Sequence, residues 1–296
     1  MPFNHDYPFE YAVVERVSPL IRRVVARNPG PFTFKGTGTF IIGEGEVAIV
    51  DPGPAIDEHV EALLEAVRNE TVTHLIVTHT HNDHSPACAP VAAATGARSY
   101  GYGPHGSGAL ERGVQVEEGG DMAFVPDVHV RDGDIIEGRG WSLECVYTPG
   151  HTSNHMCYQL REERALFSGD HVMGWNTTIV SPPDGDMYDY MHSLRKLIAR
   201  EDLRFWPTHG PAIDKPQAYV QAYLDHRLDR AEQCLVCLRE GVEAIPDMVK
   251  RMYVGLDPRM HPAAARSTLA TLMYLEREGR VRCLDEPGST ARYRLS

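Results

Sequence analysis

No stretch of this 296-residue chain is apolar for long enough to cross a membrane. Cysteine is sparse and scattered: Cys88, Cys145, Cys157, Cys234, Cys237 and Cys283 lack the spacing of a disulfide-stapled domain. Cys234 and Cys237 match Cys-x-x-Cys, but they fall in a helical pattern with no second such pair, so two half-buried helix thiols are expected. Positive charge is also short, with 29 Lys and Arg against 41 Asp and Glu. The opening MPFNHDYPFEYAVVERV has neither a basic start nor a continuous apolar segment, so it does not read as a secretory signal. These absences argue against a membrane protein and predict a reducing, cytoplasmic setting.

The charge deficit is uneven. Residues 225–296 hold 12 Lys and Arg against 11 Asp and Glu, leaving 17 against 30 for residues 1–224. The body is therefore acidic and the end near neutral, which removes any general attraction to polyphosphates. In other respects the composition is that of a globular protein, 42% hydrophobic and 24% charged. The length suits one large domain or two of ordinary size.

What the chain does have is His79-Thr80-His81-Asn82-Asp83-His84, four metal-ligand side chains in six residues. It follows Thr73-His74-Leu75-Ile76-Val77-Thr78, an apolar, partly β-branched run that predicts a buried strand. A small-residue segment from Ser85 to Thr95 follows and could begin a helix. Ligands at the C-terminal end of a strand match the usual placement of sites in α/β folds. Imidazoles with a carboxylate suit Zn²⁺ and suit Ca²⁺ or Mg²⁺ poorly. His79 and His81, two apart on extended chain, project to one side and can chelate one ion, whereas Asp83 and His84 lie past the bend and favour a second. Further ligand types stand where later strand-like runs give way to loops: His151, Asp170 and His209.

In this order, His-x-His-x-Asp-His, TPGHT, SGD and a late His-Gly resemble the metallo-β-lactamase superfamily over residues 40–210. The resemblance implies an α/β fold, an αββα sandwich, carrying two Zn²⁺ ions, with Mn²⁺ or Fe²⁺ an alternative in one site. It implies that His79, His81 and His151 hold the first metal, that Asp83, His84 and His209 hold the second, and that Asp170 bridges them. A superfamily aspartate at the place of Asp51 supports the ligands from behind; turn initiation before Pro52-Gly53 is the competing role. A water held between two such metals would lose a proton near neutral pH and attack an electrophilic carbon or phosphorus, with Asp83 orienting it. His155, four residues after His151, would either support a ligand, touch the leaving group or only pack; His171 would point to the other face.

Along the rest of the chain, Gly36–Ile42 and Glu46–Val50 predict a hairpin, Ile56–Val67 an amphipathic helix and Met187–Arg200 another. Residues 101–134, rich in Gly, Asp and Glu, predict a loop-rich excursion in which His105 and His129 are surface residues. After Pro216 the pattern changes to three helices (217–240, 245–253, 263–278) and two short strands (280–284, 291–295). The expected division is a catalytic domain, 1–216, and a helical, winged-helix-like domain, 217–296, whose near-neutral charge favours packing over nucleic-acid contact.

A carboxylate at Asp170 is typical of glyoxalase II, lactonases and RNase Z-like nucleases, so a classical β-lactamase is disfavoured, as it is by the missing export signal. The stretches TPGHTSNHMCY, ALFSGDHVMGWNTT, YDYMHSLRKL, THGPAI and LEREGRV resemble the beta-lactamase-like protein 2 group, whose human member is an endoribonuclease. In one departure, Ser85-Pro86-Ala87 stands where relatives commonly have a small residue and glycines, which bears on the pocket mouth. Two substrates follow as expectations: single-stranded RNA, or a small thioester, lactone or ester as for glyoxalase II. Membrane partners are not expected, and self-association is compatible with the sequence.

Overall fold

The computed structural model describes residues 1–106 and 119–296. Two β-sheets lie face to face. The first orders its strands as they occur in the chain: β1 (Glu15–Arg16), β2 (Ile21–Val25), β3 (Gly38–Ile42), β4 (Glu46–Val50), β5 (Thr71–Ile76), β6 (Arg98–Gly101) and β7 (Val128–His129). The expected hairpin is β3 with β4, antiparallel, pairing Phe40 with Val50. From β4 onward the strands run parallel, because helices cross between them: α1 (Asp57–Ala66) and α2 (Cys88–Thr95). The second sheet orders β12 (Arg204–Pro207), β11 (Ala165–Gly169), β10 (Met156–Leu160), β9 (Trp141–Tyr147) and β8 (Ile135–Gly138).

Apolar residues on the inner faces form the layer between the sheets, with Phe40, Trp141, Tyr158, Phe167 and Trp206 among the largest. The outer face of the first sheet closes against α1 and α2 through Ile41, Ile49, Leu63 and Val91. The outer face of the second sheet is covered by α3 (Met187–Ile198) and α4 (Pro216–Arg239). Every residue of β3 and β11 is buried, so neither strand shows the apolar–polar alternation of a half-exposed one. The result is the expected αββα sandwich. The Asp186 carboxylate accepts from the Asp189 N–H, capping α3 and fixing where its helix begins.

The C-terminal part adds α5 (Ile245–Met252), α6 (His261–Arg277) and an antiparallel pair, β13 (Val281–Cys283) with β14 (Tyr293–Leu295). This is the winged-helix-like arrangement that the sequence predicts. It is not a separate bead: one apolar core runs from Leu166 and Phe205 of the sandwich through Leu194 and Tyr223 to Leu272 and Tyr293. Cys234 and Cys237 lie in that core, fully rather than half buried, since α4 is covered on both sides. No helix among the described residues is long and apolar enough to cross a membrane.

Local differences from the sequence reading have local causes. Helix α2 starts at Cys88 rather than Ser85, and residues 85–87 form turns in the segment that contains Pro86. The excursion at 101–134 contains the short strand β7, and its residues 107–118 lie outside the described residues. The strands β1 and β2 had no sequence expectation at all.

Candidate metal centre

The strand β5 delivers residues 77–84 to the rim of the sandwich, where the ends of β4, β9 and β11 and the chain after β12 also arrive. There the structure brings together two groups of side chains, His79, His81 and His151 in one, and Asp83, His84, Asp170 and His209 in the other. Within each group the ligand-type atoms lie within 4.8 Å of one another, and every residue is buried. In the first, His79 Nε2 is 3.0 Å from His81 Nδ1 and 3.3 Å from His151 Nε2. In the second, His209 Nε2 lies 3.0 Å from Asp83 Oδ2 and 3.4 Å from Asp170 Oδ2, and His84 Nε2 lies 3.5 Å from Asp83 and 3.6 Å from Asp170.

Hydrogen bonds behind the rings decide which nitrogen faces the centre. A carbonyl oxygen can only accept, so His151 Nδ1 donates to Ile179 O at 2.8 Å and His209 Nδ1 donates to Gly36 O at 3.2 Å. His84 Nδ1 donates to the Asp51 carboxylate at 2.9 Å. The Thr78 hydroxyl gives its proton to Asp51 Oδ2 at 2.8 Å, and so accepts from His79 Nδ1 at 3.1 Å. In a neutral ring, each Nε2 is then left as a lone pair aimed inward, the tautomer a metal ligand needs.

Asp51 organises both groups. It is fully buried, with a φ of +47°, at the end of β4. Its carboxylate accepts from Thr78 N, Thr78 Oγ1, Thr208 Oγ1 and His84 Nδ1 at 2.7–2.9 Å. It thus holds His84 directly, His79 through Thr78, and the residue before His209. Turn initiation alone would leave such a carboxylate in solvent.

Electrostatics divide the centre. Burial, reinforced by neighbouring histidines, holds His79 and His81 well below the ordinary imidazole range; burial also lowers His151. In the other group burial disfavours the charge of His209, but Asp170 and Asp83 overcome it and raise the ring to about 10. Burial likewise opposes charge on His84, and Asp83, Asp170 and Asp51 outweigh it and push the ring up. Burial pushes Asp170 up too, yet His209 and His84 hold it well below the usual carboxylate range. Burial, histidines and aspartates therefore set these shifts, and no lysine or arginine is among the largest influences on the seven residues.

The donor set fits a pair of divalent cations. Among the described residues, His84 Nε2, His209 Nε2 and Asp170 Oδ1 are buried without a hydrogen bond of proper geometry. Orphaned buried atoms of this kind are costly unless something binds them. Backbone shape helps crowd these side chains. At Gly150 (φ +135°) a Cβ would sit 2.3 Å from Tyr190 Cα, and at Gly169 (φ +51°) it would sit 2.5 Å from His155 Nε2. Only glycine lets the loops bearing His151 and Asp170 pass so close.

The other sequence candidates fall around this centre. His155 is fully buried beneath it, with Nδ1 2.9 Å from Thr148 Oγ1 and its ring 5.2 Å from that of His79. The His171 ring packs 4.5 Å from that of Tyr190 and 5.4 Å from that of His155, and belongs to neither group. His129 is exposed. His105 is only part exposed: its Nδ1 lies 2.9 Å from Thr80 Oγ1 and its ring 6.1 Å from that of His81. Sequence reasoning passed over Thr78 and Thr208, although each directly precedes a histidine, in Thr-His pairs at two strand ends. It also passed over Asn154, which donates to Thr80 Oγ1 at 2.8 Å and to Gly103 O at 3.2 Å.

The αββα sandwich thus carries two clusters of metal-ligand residue types at its rim. Residues 33–209 match the metallo-beta-lactamase superfamily, and residues 244–289 match the beta-lactamase associated winged helix domain. The chain belongs to the metallo-beta-lactamase superfamily. It is similar to the "Beta-lactamase-like protein 2 homolog" of Caenorhabditis elegans, 31% identical over 90% of this chain and 87% of that protein. It is similar also to the "Atrochrysone carboxyl ACP thioesterase AgnL7" of Paecilomyces divaricatus, 34% identical over 76% of this chain and 66% of that protein. The fold matches a crystal structure of a beta-lactamase domain protein from Burkholderia ambifaria, with a TM-score of 0.78 at 19% identity, covering 99% of this chain and 96% of that one.

Proposed function

We propose that this protein is a dinuclear-zinc hydrolase of small activated acyl compounds, thioesters first and lactones or simple esters next. The observation that carries the reading is the pair of ligand clusters in one rim, four residues of the second adjoining three of the first. His79, His81 and His151 would hold one ion, Asp83, His84 and His209 the other, and Asp170 would touch both. Bound there, two ions would supply Lewis acidity and an activated water at neutral pH. Asp83 would take that water's hydrogen bond and aim it. Asp51 keeps His79 and His84 turned inward, and His155 packs beneath His79. Residues 1–216 would carry the centre, and 217–296 would form the helical, winged-helix-like part. Five buried free cysteines favour a reducing, cytoplasmic compartment.

The acyl preference rests on two supports. Relatives at 28–34% identity are named as thioesterases, and the chain carries a formal charge of −12, with no lysine or arginine among the strongest influences on the two central carboxylates. A second reading, cleavage of single-stranded RNA, rests on the likeness to the beta-lactamase-like protein 2 homolog along nearly the whole chain. One panel separates them: acyl thioesters, lactones, aryl esters and a labelled single-stranded RNA, offered to the zinc-loaded chain and to Asp83→Ala. Thioester turnover at least 100-fold above the variant, with RNA intact, is the expected result. RNA cleavage lost in the variant, with thioesters untouched, would replace the acyl reading.

A further inference from the structure

The loop after Asp170 is held from outside the sandwich. Thr178 Oγ1 donates to the backbone oxygens of Asp170 and His171 at 2.7 and 3.0 Å, so this residue is tied to the backbone that carries the Asp170 side chain of the second cluster. The next residue, Ile179, accepts the His151 Nδ1 proton and sets that ring's inward tautomer. Two adjacent residues therefore fix one side chain of each cluster. What fixes them comes from α4: the guanidinium of Arg227 donates to Thr178 O.

Arg227 is placed for this task at some energetic expense. It is buried, 7% exposed, with its Nε lacking a hydrogen-bond partner and its charge over the Tyr190 ring, 5.3 Å from the centroid. A desolvated guanidinium on a carbonyl and an aromatic face is a costly way to fill space. The rest of the loop is gripped in the same manner. Tyr223 donates to Met173 O at 2.6 Å and to Asn176 O, and Tyr219 donates to Gly174 O at 3.0 Å. On the far side, Arg266 of α6 donates to Ser181 Oγ at 2.8 Å and to Pro182 O at 2.9 Å.

We propose that Arg227 is a positioning residue for the metal centre, acting through Thr178 and Ile179 on Asp170 and His151, and that the helical part thereby sets the geometry of a site to which it gives no ligand. This rests on the metal-site reading above. Partners one step behind the ligands commonly govern metal affinity by about 10–100-fold.

The test is a titration of the metal-free full chain with Co²⁺, following affinity and the visible spectrum. Arg227→Met should weaken binding by about 10–100-fold and alter the Co²⁺ bands, while Arg227→Lys, which keeps a donor, should recover most of the loss. A role in folding alone would lower the melting temperature of both variants and leave the Co²⁺ bands of the folded chain unchanged. Binding by Arg227→Met within 3-fold of the parent, with the same bands, would overturn the inference. Should Arg227→Met not fold, Thr178→Val decides: weakened binding supports the relay, and unchanged binding overturns it. Failure of the parent chain itself to take up Co²⁺ would instead defeat the metal-site reading.

Discussion

Exchanging Asp170 for asparagine should lower turnover by about three orders of magnitude, or about 4 kcal/mol of barrier, and should cost the protein tight binding of at least one metal. The expectation comes from where the carboxylate stands. Its two oxygens lie 3.4 Å from His209 Nε2 and 3.6 Å from His84 Nε2, and Oδ1 has no hydrogen bond within the protein. Asparagine keeps the shape but removes the charge and replaces one oxygen with a donor that faces metals and imidazoles. The negative charge that draws a cation into the second cluster would fall by one of two carboxylates, leaving Asp83. Steady-state rates on the best substrate of the panel, set beside metal content after dialysis, measure both effects. A variant that keeps two metals and more than a tenth of the rate would show that Asp170 does not join the sites.

Asp51→Ala is expected to be nearly as damaging, by a different route. No ligand is removed, yet four donors lose their acceptor: Thr78 N, Thr78 Oγ1, Thr208 Oγ1 and His84 Nδ1. Each buried donor left unsatisfied costs about 1–3 kcal/mol, so the metal-free chain should lose about 3 kcal/mol or more in urea unfolding. His84 would also lose the partner that turns Nε2 inward, and the Thr78 hydroxyl that turns His79 would lose the acceptor that orients it. Metal affinity should therefore fall at both sites, by about 10–100-fold, where a change at a single ligand would strike one first. Asp51→Asn, which retains one acceptor oxygen, should fall between. An Asp51→Ala protein that folds and binds both metals at parental affinity would reduce the residue to a turn former.

Much of this centre could be read from the chain because its parts are local. A six-residue motif after a β-branched run, and three later ligand types each closing a strand, announce themselves in order and spacing. The helices α1, α3 and α5 were equally legible, since each buries one face and repeats at helical period. The illegible parts are those decided by contacts between distant segments. Asp51 reaches Thr208 across 157 residues, and nothing near either residue states that pairing. Arg227 meets Thr178 across 49 residues, and in the sequence it is one more arginine on a helix. The short strand β1 has only two residues, too few to carry a period. The same limit hides how the C-terminal part packs on the sandwich, since their shared core, from Phe205 to Tyr293, lies in no local window.

The central claim is that the two clusters are metal sites of one dinuclear centre. The most direct measurement is the metal content of the full-length chain after zinc loading and removal of loosely held ions. Two zinc ions per chain are predicted, falling to one or fewer in Asp170→Asn. One ion or none per folded parent chain would contradict the claim.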